Sequence, residues 1–308
     1  MRAPTVTIGI PFRNPGAYFR LAVQSVFAQT HDDWELILLD DGSTDGSTEF
    51  ARELDDPRIR VIADGHARNL NVRLNQIAHL ARAPYLFRMD ADDVMHPERV
   101  ERQLASLIQS SGPTVVGTRC YSIDANSTVV GLRPACAAQT MGFAARHSFD
   151  HPSVAARTDW FKANPYSESF IYHRSQDAEL WCRTAPFTNF INIPQPLMFY
   201  RDEGVFSREK YVGTELGIIN LAATQYARLK VRYAAIVLRE LTKIYIRLLF
   251  DAMGGASSIE FFKRTRLSEG ERANAQTTLS RIGAQPLPIR SLSLSSPIAA
   301  VAPQPIPR

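Results

Sequence analysis

The sequence predicts an α/β fold, with a mostly parallel sheet flanked by helices and a C-terminal helical extension. Three observations carry this. Short β-branched, apolar runs alternate with helix-period segments as far as Thr118, which is the pattern of βαβ crossovers. Those runs lack polar alternation, as strands buried on both faces do. From about Tyr211 to Arg281 the apolar period is helical.

Taken in order, Val6–Ile10 reads as a strand that stops at Pro11, and Asn14-Pro15-Gly16 breaks the chain. Tyr18, Leu21, Ala22, Ser25, Val26 and Gln29 follow at helical spacing. Trp34–Leu39 is a second strand ending in Asp40-Asp41-Gly42-Ser43-Thr44-Asp45, with a helix expected to start near Thr44 and Asp45 able to cap it. Ile59–Ala63 is a third strand. Leu70–Ala81 is a helix whose stripe is Leu70, Leu74, Ile77, Ala78 and Ala81. Tyr85–Met89 is a fourth strand and runs directly into Asp90-Ala91-Asp92-Asp93. Pro97 suits the first turn of a helix to Gln109, and Thr114–Thr118 is another strand. Residues 148–201 are mixed, and the Pro- and Ser-rich stretch from Gly283 lacks periodicity and is read as disordered. The expected divisions are a catalytic domain over 1–207, a helical extension over 208–282 and a tail over 283–308.

Composition narrows the function. The 308 residues are 45% hydrophobic and 21% charged, which is globular. Lys plus Arg is 35 against 31 acids, net +4, too small an excess to make nucleic acid the default partner. Cys120, Cys136 and Cys182 form no CxxC pair, which argues against a zinc module or disulfide scaffold and suits a reducing compartment. No run of uncharged apolar residues is long enough to span a bilayer. The first strand signal begins by Thr5 and leaves no room for a signal peptide. A cytoplasmic location follows as an expectation, with peripheral contact on the inner face of the membrane as an addition to it.

In a parallel sheet, ligands bind beyond the carboxyl ends of the strands. Polar clusters follow three of them, Arg13-Asn14, Asp40–Asp45 and Asp90–Asp93, and should converge on one crevice. Clustered carboxylates raise one another's pKa unless a cation sits among them. Asp90, Asp92 and Asp93 therefore read as ligands for a hard divalent ion whose shell substrate phosphates complete, or else as a solvated, helix-capping loop before Pro97. Asp40 and Asp41 read as acceptors for the ring or ribose of a nucleotide, or as an Asp-Gly turn.

The runs Thr7–Asn14, Leu39–Asp45 and Arg88–Asp93, in that order and spacing, resemble a family-2 glycosyltransferase with the Rossmann-like GT-A fold. Ser175–Arg183 is similar to that family's acidic catalytic motif, and Phe199-Tyr200-Arg201 to the segment that closes its catalytic domain. The resemblance covers roughly residues 4–207. It implies a nucleotide-sugar donor, usually of uridine, a Mn²⁺ or Mg²⁺ ion, and inverting transfer of a hexosyl or N-acetylhexosaminyl group. The acceptor would be a saccharide or lipid-linked hydroxyl in bacterial-type polysaccharide or glycolipid assembly. By the same resemblance Pro11 and Phe12 would line the base pocket and Arg13 would approach the phosphates. Asp40 or Asp41 would meet the uracil or ribose, with Asn75 and Ala91 also beside the donor. Asp92 would ligate the metal, Asp90 would face the ribose or sugar and share the ion, and Asp177 would be the general base. Two departures stand out. Asn69-Leu70-Asn71 replaces a segment that usually carries Gly, and Asn tolerates left-handed angles. Asp202 and Glu203 follow Tyr200-Arg201 where a metal-binding His is common, leaving His147 and His151 as substitutes against their more usual structural role.

Breaking a sugar–phosphate bond loads charge onto the diphosphate, which a divalent ion stabilises, and a hydroxyl nucleophile needs a base. Asp177 serves that need, although Gln176–Arg183 also reads as an amphipathic helix with Leu180 and Trp181 in the core and Asp177 favouring its dipole. Two other functions compete. A nucleotidyltransferase generally wants a Gly-rich basic loop after its first strand, and Pro11–Pro15 is not one. A non-catalytic nucleotide-sugar-binding protein would not need the intact Asp90, Asp92 and Asp177. Finally, Arg228–Phe250 sets Leu241, Ala234, Val237, Leu238, Ile244, Tyr245 and Leu248 on one face and Arg228, Arg232, Arg239, Lys243 and Arg247 opposite. Such a helix either lies on an anionic membrane or packs its apolar face on the catalytic domain with the basic face in water.

Overall fold

The computed structural model describes residues 3–136, 142–202, 207–224, 231–253 and 264–290. Strands β1 (Val6–Phe12), β2 (Trp34–Asp40), β3 (Ile59–Ile62) and β4 (Tyr85–Arg88) pair in parallel in the order β3-β2-β1-β4. The sheet continues through β8 (Ala155–Arg157), β6 (Thr114–Ile123), β9 (Asn189–Arg201) and β5 (Val94–Met95), with β7 (Val129–Leu132) hung on β6. Parallel pairing returns only at β6/β9, while β8, β5 and β7 pair antiparallel. The sheet is thus parallel in its N-terminal half and mixed beyond it.

Both faces are apolar. Val6, Ile8, Ile10, Leu36 and Leu38 pack under α1 (Tyr18–Phe27), α2 (Ser47–Glu53) and α4 (Arg99–Gln109). Ile37 and Leu39 face the opposite layer with Leu74 and Ile77 of α3 (Leu70–Leu80), Trp160 and Phe161 of α5 (Thr158–Ala163) and Trp181 of α6 (Gln176–Thr184). Trp181 is wholly buried among Phe149, Phe190, Trp160 and His151, a packing residue. A Cβ on Gly9 would lie 2.3 Å from Ile77 Cγ2, so the bare backbone is what lets α3 sit this close.

β1 runs through Pro11 to Phe12, past the expected stop. The Gly9 carbonyl accepts from Met89 N on the β4 side, and Pro11 points to that side too. The β1/β4 pairing has ended by then, so the missing N–H deprives no ladder of a bond.

The C-terminal helices divide. α7 (Arg208–Thr224) packs against α8 (Val231–Ala252), while α9 (Glu269–Gly283) buries Ala275, Leu279 and Ile282 against Val94, Ile123, Val129 and Phe199. The stretch after Gly283, read from sequence as disordered, is a correction over its first part. Residues 284–290 run back along α1 and α2, where Gln24 Nε2 donates to the carbonyls of Gly283 and Gln285. Asp55 N donates to Pro288 O and Arg290 N to Glu53 O, and Leu287 packs on the core. Residues 291–308 lie outside the described residues.

α8 departs from the packed alternative, in which its apolar face would meet the catalytic domain. Glu240 and Arg247 are buried on its inner side, and Lys243 bridges to Glu215 of α7 at 2.8 Å. The charged side faces the protein because Glu215 of α7 waits beneath it, where Lys243 reaches it; the apolar stripe faces out. Arg228 and Lys230 lie outside the described residues.

Candidate active site

The three polar clusters meet at the carboxyl ends of β1, β2 and β4. An open cavity of about 490 Å³ is lined by Pro11, Phe12, Arg13, Asn14, Pro15, Tyr18, Leu70, Asp90, Ala91, Asp92 and Arg174. Its size suits a small organic ligand. Six of the residues singled out from sequence therefore share one wall: Pro11, Phe12, Arg13, Asp90, Ala91 and Asp92.

The acidic corner follows from where β4 ends. Carboxylate oxygens of Asp90, Asp92 and Asp93 all lie within 4.8 Å of one another. Asp93 is buried; its Oδ1 accepts from Arg201 N at 2.8 Å, and its Oδ2 has no partner among the described residues. Burial, then the charges of Asp92 and Asp90, push Asp93 well above the usual carboxylate range. Partial enclosure and Asp90 push Asp92 up to about 6. Oxygen donors crowded this way, one of them buried and unsatisfied, fit a hard divalent cation. Arg201 secures the loop, its Nε donating to Asp92 O at 2.9 Å and its guanidinium lying 3.9 Å from the Tyr18 ring centre.

Arg88, the last residue of β4, is buried, with Nη2 donating to Asp90 Oδ1 at 2.6 Å. Asp177, in the first turn of α6, lies close enough to feel both Arg88 and Asp90. Burial raises its carboxyl above the ordinary value, against the Ala178 N–H and Arg88, which act to lower it.

The remaining sequence candidates sit behind the cavity. Asp40 Oδ1 accepts from Ser43 N at 2.9 Å. Asp41 is filled by Arg68 N, Asn69 N and Arg73 Nε, at 2.7, 3.3 and 2.9 Å. Arg73 is itself buried and pairs with Asp64 as well, so Asp41 anchors the 64–69 loop that carries Leu70 to the cavity. Asn75 spends its amide on the Tyr166 backbone, 3.0 Å to the carbonyl and 2.8 Å from the N–H. Asn69 takes φ +84° and caps α3, its side chain accepting from Asn71 N and Val72 N, which is the role expected of a residue standing in for Gly. His151 Nε2 lies 2.8 Å from the Tyr166 hydroxyl, and burial with Arg88 nearby keeps its pKa well down. Neither it nor His147 joins the acidic corner, and Asp202 is committed to Arg264 at 3.1 Å.

Asn14, from the first of the clusters expected to converge, lines the cavity too, while sequence reasoning missed Arg174 and Tyr18 as cavity residues. Arg174 comes from the turn before α6, and its stem lies against Gly213 of α7. Its only sequence signal was a cation three residues before Asp177.

Comparison with known proteins identifies the class. The glycosyl transferase family 2 signature matches residues 7–165, over half of the chain. The chain belongs to this family. It is 29% identical over 185 residues to the putative glycosyltransferase EpsE of Bacillus subtilis, covering 58% of this chain and 66% of that protein. It is 26% identical over 126 residues to the UDP-Glc:alpha-D-GlcNAc-diphosphoundecaprenol beta-1,3-glucosyltransferase WfgD of Escherichia coli, covering 41% and 49%. The match thus spans less than two thirds of either relative's length. Among solved structures, S. aureus TarS 1-349 in complex with UDP-GlcNAc superposes with TM-score 0.54 at 13% identity, over 91% of this chain and 83% of that one. The mannosyltransferase PcManGT from Pyrobaculum calidifontis, in complex with GDP-Man and Mn²⁺, gives 0.52 at 12%, over 92% and 87%. These likenesses establish the GT-A fold. No helix among the described residues is long and apolar enough to cross a membrane.

Proposed function

We propose that the chain is a metal-dependent, inverting glycosyltransferase. It moves a hexosyl or N-acetylhexosaminyl group from a nucleoside-diphosphate sugar, a UDP-sugar in the first instance, to a hydroxyl of a saccharide or lipid-linked acceptor in polysaccharide or glycolipid assembly. The observation that carries the reading is the pooling of Asp90, Asp92, Arg13 and Arg174 around one cavity, with Asp177 within electrostatic reach of Asp90. The names of TarS in complex with UDP-GlcNAc and of the glucosyltransferase WfgD support UDP and a lipid-linked acceptor.

Asp90 and Asp92, with the unpaired oxygen of Asp93, would hold Mn²⁺ or Mg²⁺. The ion would neutralise charge on the leaving diphosphate. Pro11 and Phe12 give an apolar floor for the base, and Asp40, at the end of β2 behind them, would accept from the ring or ribose. Asp41 and Asn75 act at one remove, by fixing the loops around Leu70 and Tyr166. Arg13 and Arg174 supply cations for phosphate oxygens. Arg88 holds Asp90 in place. Asp177 accepts the proton of the acceptor hydroxyl as the new glycosidic bond forms and the sugar–phosphate bond breaks, a single in-line displacement needing one base. Its raised pKa makes it a better proton acceptor than an ordinary carboxylate.

Calorimetry of UDP binding with and without Mn²⁺ tests the site. Wild-type protein binds UDP more tightly with Mn²⁺, and Asp92→Ala loses that increment. Equal Mn²⁺ enhancement in the variant would remove the acidic corner from the mechanism.

A further inference from the structure

α8 carries a surface that the catalytic reading does not use. Leu238, Leu241, Tyr245, Leu249 and Met253 recur every three or four residues and are 47–69% exposed. They form one apolar stripe along a helix of 22 residues, about 33 Å long at 1.5 Å per residue. An amphipathic helix ordinarily turns such a stripe to the core. Here ion pairs to α7 hold the other side inward: Lys243 to Glu215, and Asp251 to Arg208.

The charges of α8 say what the stripe meets. Its two acids are both turned away, Glu240 buried and Asp251 paired with Arg208. Beside the stripe Arg232 is exposed, and Arg239 and Lys243 stay about half-exposed while their carboxylate partners Glu240 and Glu215 are buried, so that edge presents cations and no exposed acid of α8. A two-fold pairing through the stripe would set this basic rim against its own copy. An anionic lipid surface satisfies both features, since headgroup phosphates meet the rim while the stripe sinks into the acyl boundary.

We propose that α8 is an interfacial helix that seats the protein on an anionic bilayer through Leu238, Leu241, Tyr245, Leu249 and Met253. The seat connects to the site by direct packing. On α7, which carries Glu215, added Cβ atoms at Gly213 and Gly217 would meet Arg174 at 3.2 Å and Ser175 at 2.2 Å. One helix layer therefore separates the bilayer from the segment that presents Arg174 and Asp177, the arrangement a lipid-borne acceptor requires.

The test uses full-length protein, with vesicles of phosphatidylcholine with and without phosphatidylglycerol. Wild type co-sediments with the phosphatidylglycerol vesicles, and salt weakens the binding. A Tyr245→Trp variant shows a blue shift in emission on adding them, and Leu238→Glu/Leu249→Glu binds about tenfold or more weakly. Both positions are exposed, so that double variant keeps its circular dichroism and its UDP affinity. Equal vesicle binding by the double variant, or no Trp shift, overturns the proposal. So does light scattering that finds wild type a dimer and the double variant a monomer, which would assign the stripe to a second copy.

Discussion

Asp177 shows what a half-buried catalytic candidate costs. Its carboxyl is raised above the ordinary value by burial, so the folded state holds its proton to a higher pH than the unfolded chain does. Ionised Asp177 therefore weakens the fold above its folded pKa, and the penalty vanishes below the unfolded value near 4. Asp177→Asn should melt higher than wild type at pH 8, by about 2–4 °C for each kcal/mol relieved, with the gap closing towards pH 4. Transfer by the same variant should fall about 10²–10⁴-fold with donor binding kept. Unchanged turnover would take Asp177 out of the base role, and an unchanged melting difference across pH would deny the burial penalty. At this scale the sequence is informative about capacity and poor about partners. Asp90 and Asp92 announce themselves because polar residues abruptly follow an apolar strand. That Asp41 is consumed by Arg73, Arg68 and Asn69 depends on a loop 23 residues away folding back, and nothing local encodes it. Arg174 is invisible for the same reason.

At the scale of elements, the first four strands are legible because each is an apolar run set between helix-period segments, and α1, α3 and α4 because each is long enough to show a helical period. β5, β7 and β8 have two to four residues, and β9 is broken by Pro194 and Pro196, where its register against β6 shifts. None of these carries a clean period of two. α8 was legible as a helix but not in its rotation, because Glu215 on another helix decides which side faces in. The tight α3–β1 contact offers a direct check. Gly9→Ala should destabilise the protein by about 1–3 kcal/mol through overpacking on Ile77. Adding Ile77→Leu, which removes the Cγ2 methyl, should recover part of the loss in denaturant titrations; no recovery would mean that the strain lies elsewhere.

Over the whole molecule, the chain closes on itself. Residues 264–290 return from the helical region to β7, α1 and α2: Thr265 pairs with Leu132, α9 covers β5 and β9, and Ile289 bridges to Leu54. Removing residues 291–308 should leave the melting temperature within a degree or so. Ending the chain at Gly283 should lower it by several degrees, because Leu287 and the bonds to Glu53 and Asp55 go with it. Identical melting of the two truncations would show that the return segment is ornamental.

That closure has a bearing on how the protein is made. The N-terminal strands leave the ribosome first, yet the helix that carries Tyr18 must wait for Gly283 and Gln285 to emerge before its outer side is covered. A message cut short would yield a product with its early half exposed, open to proteolysis before it could compete for substrate.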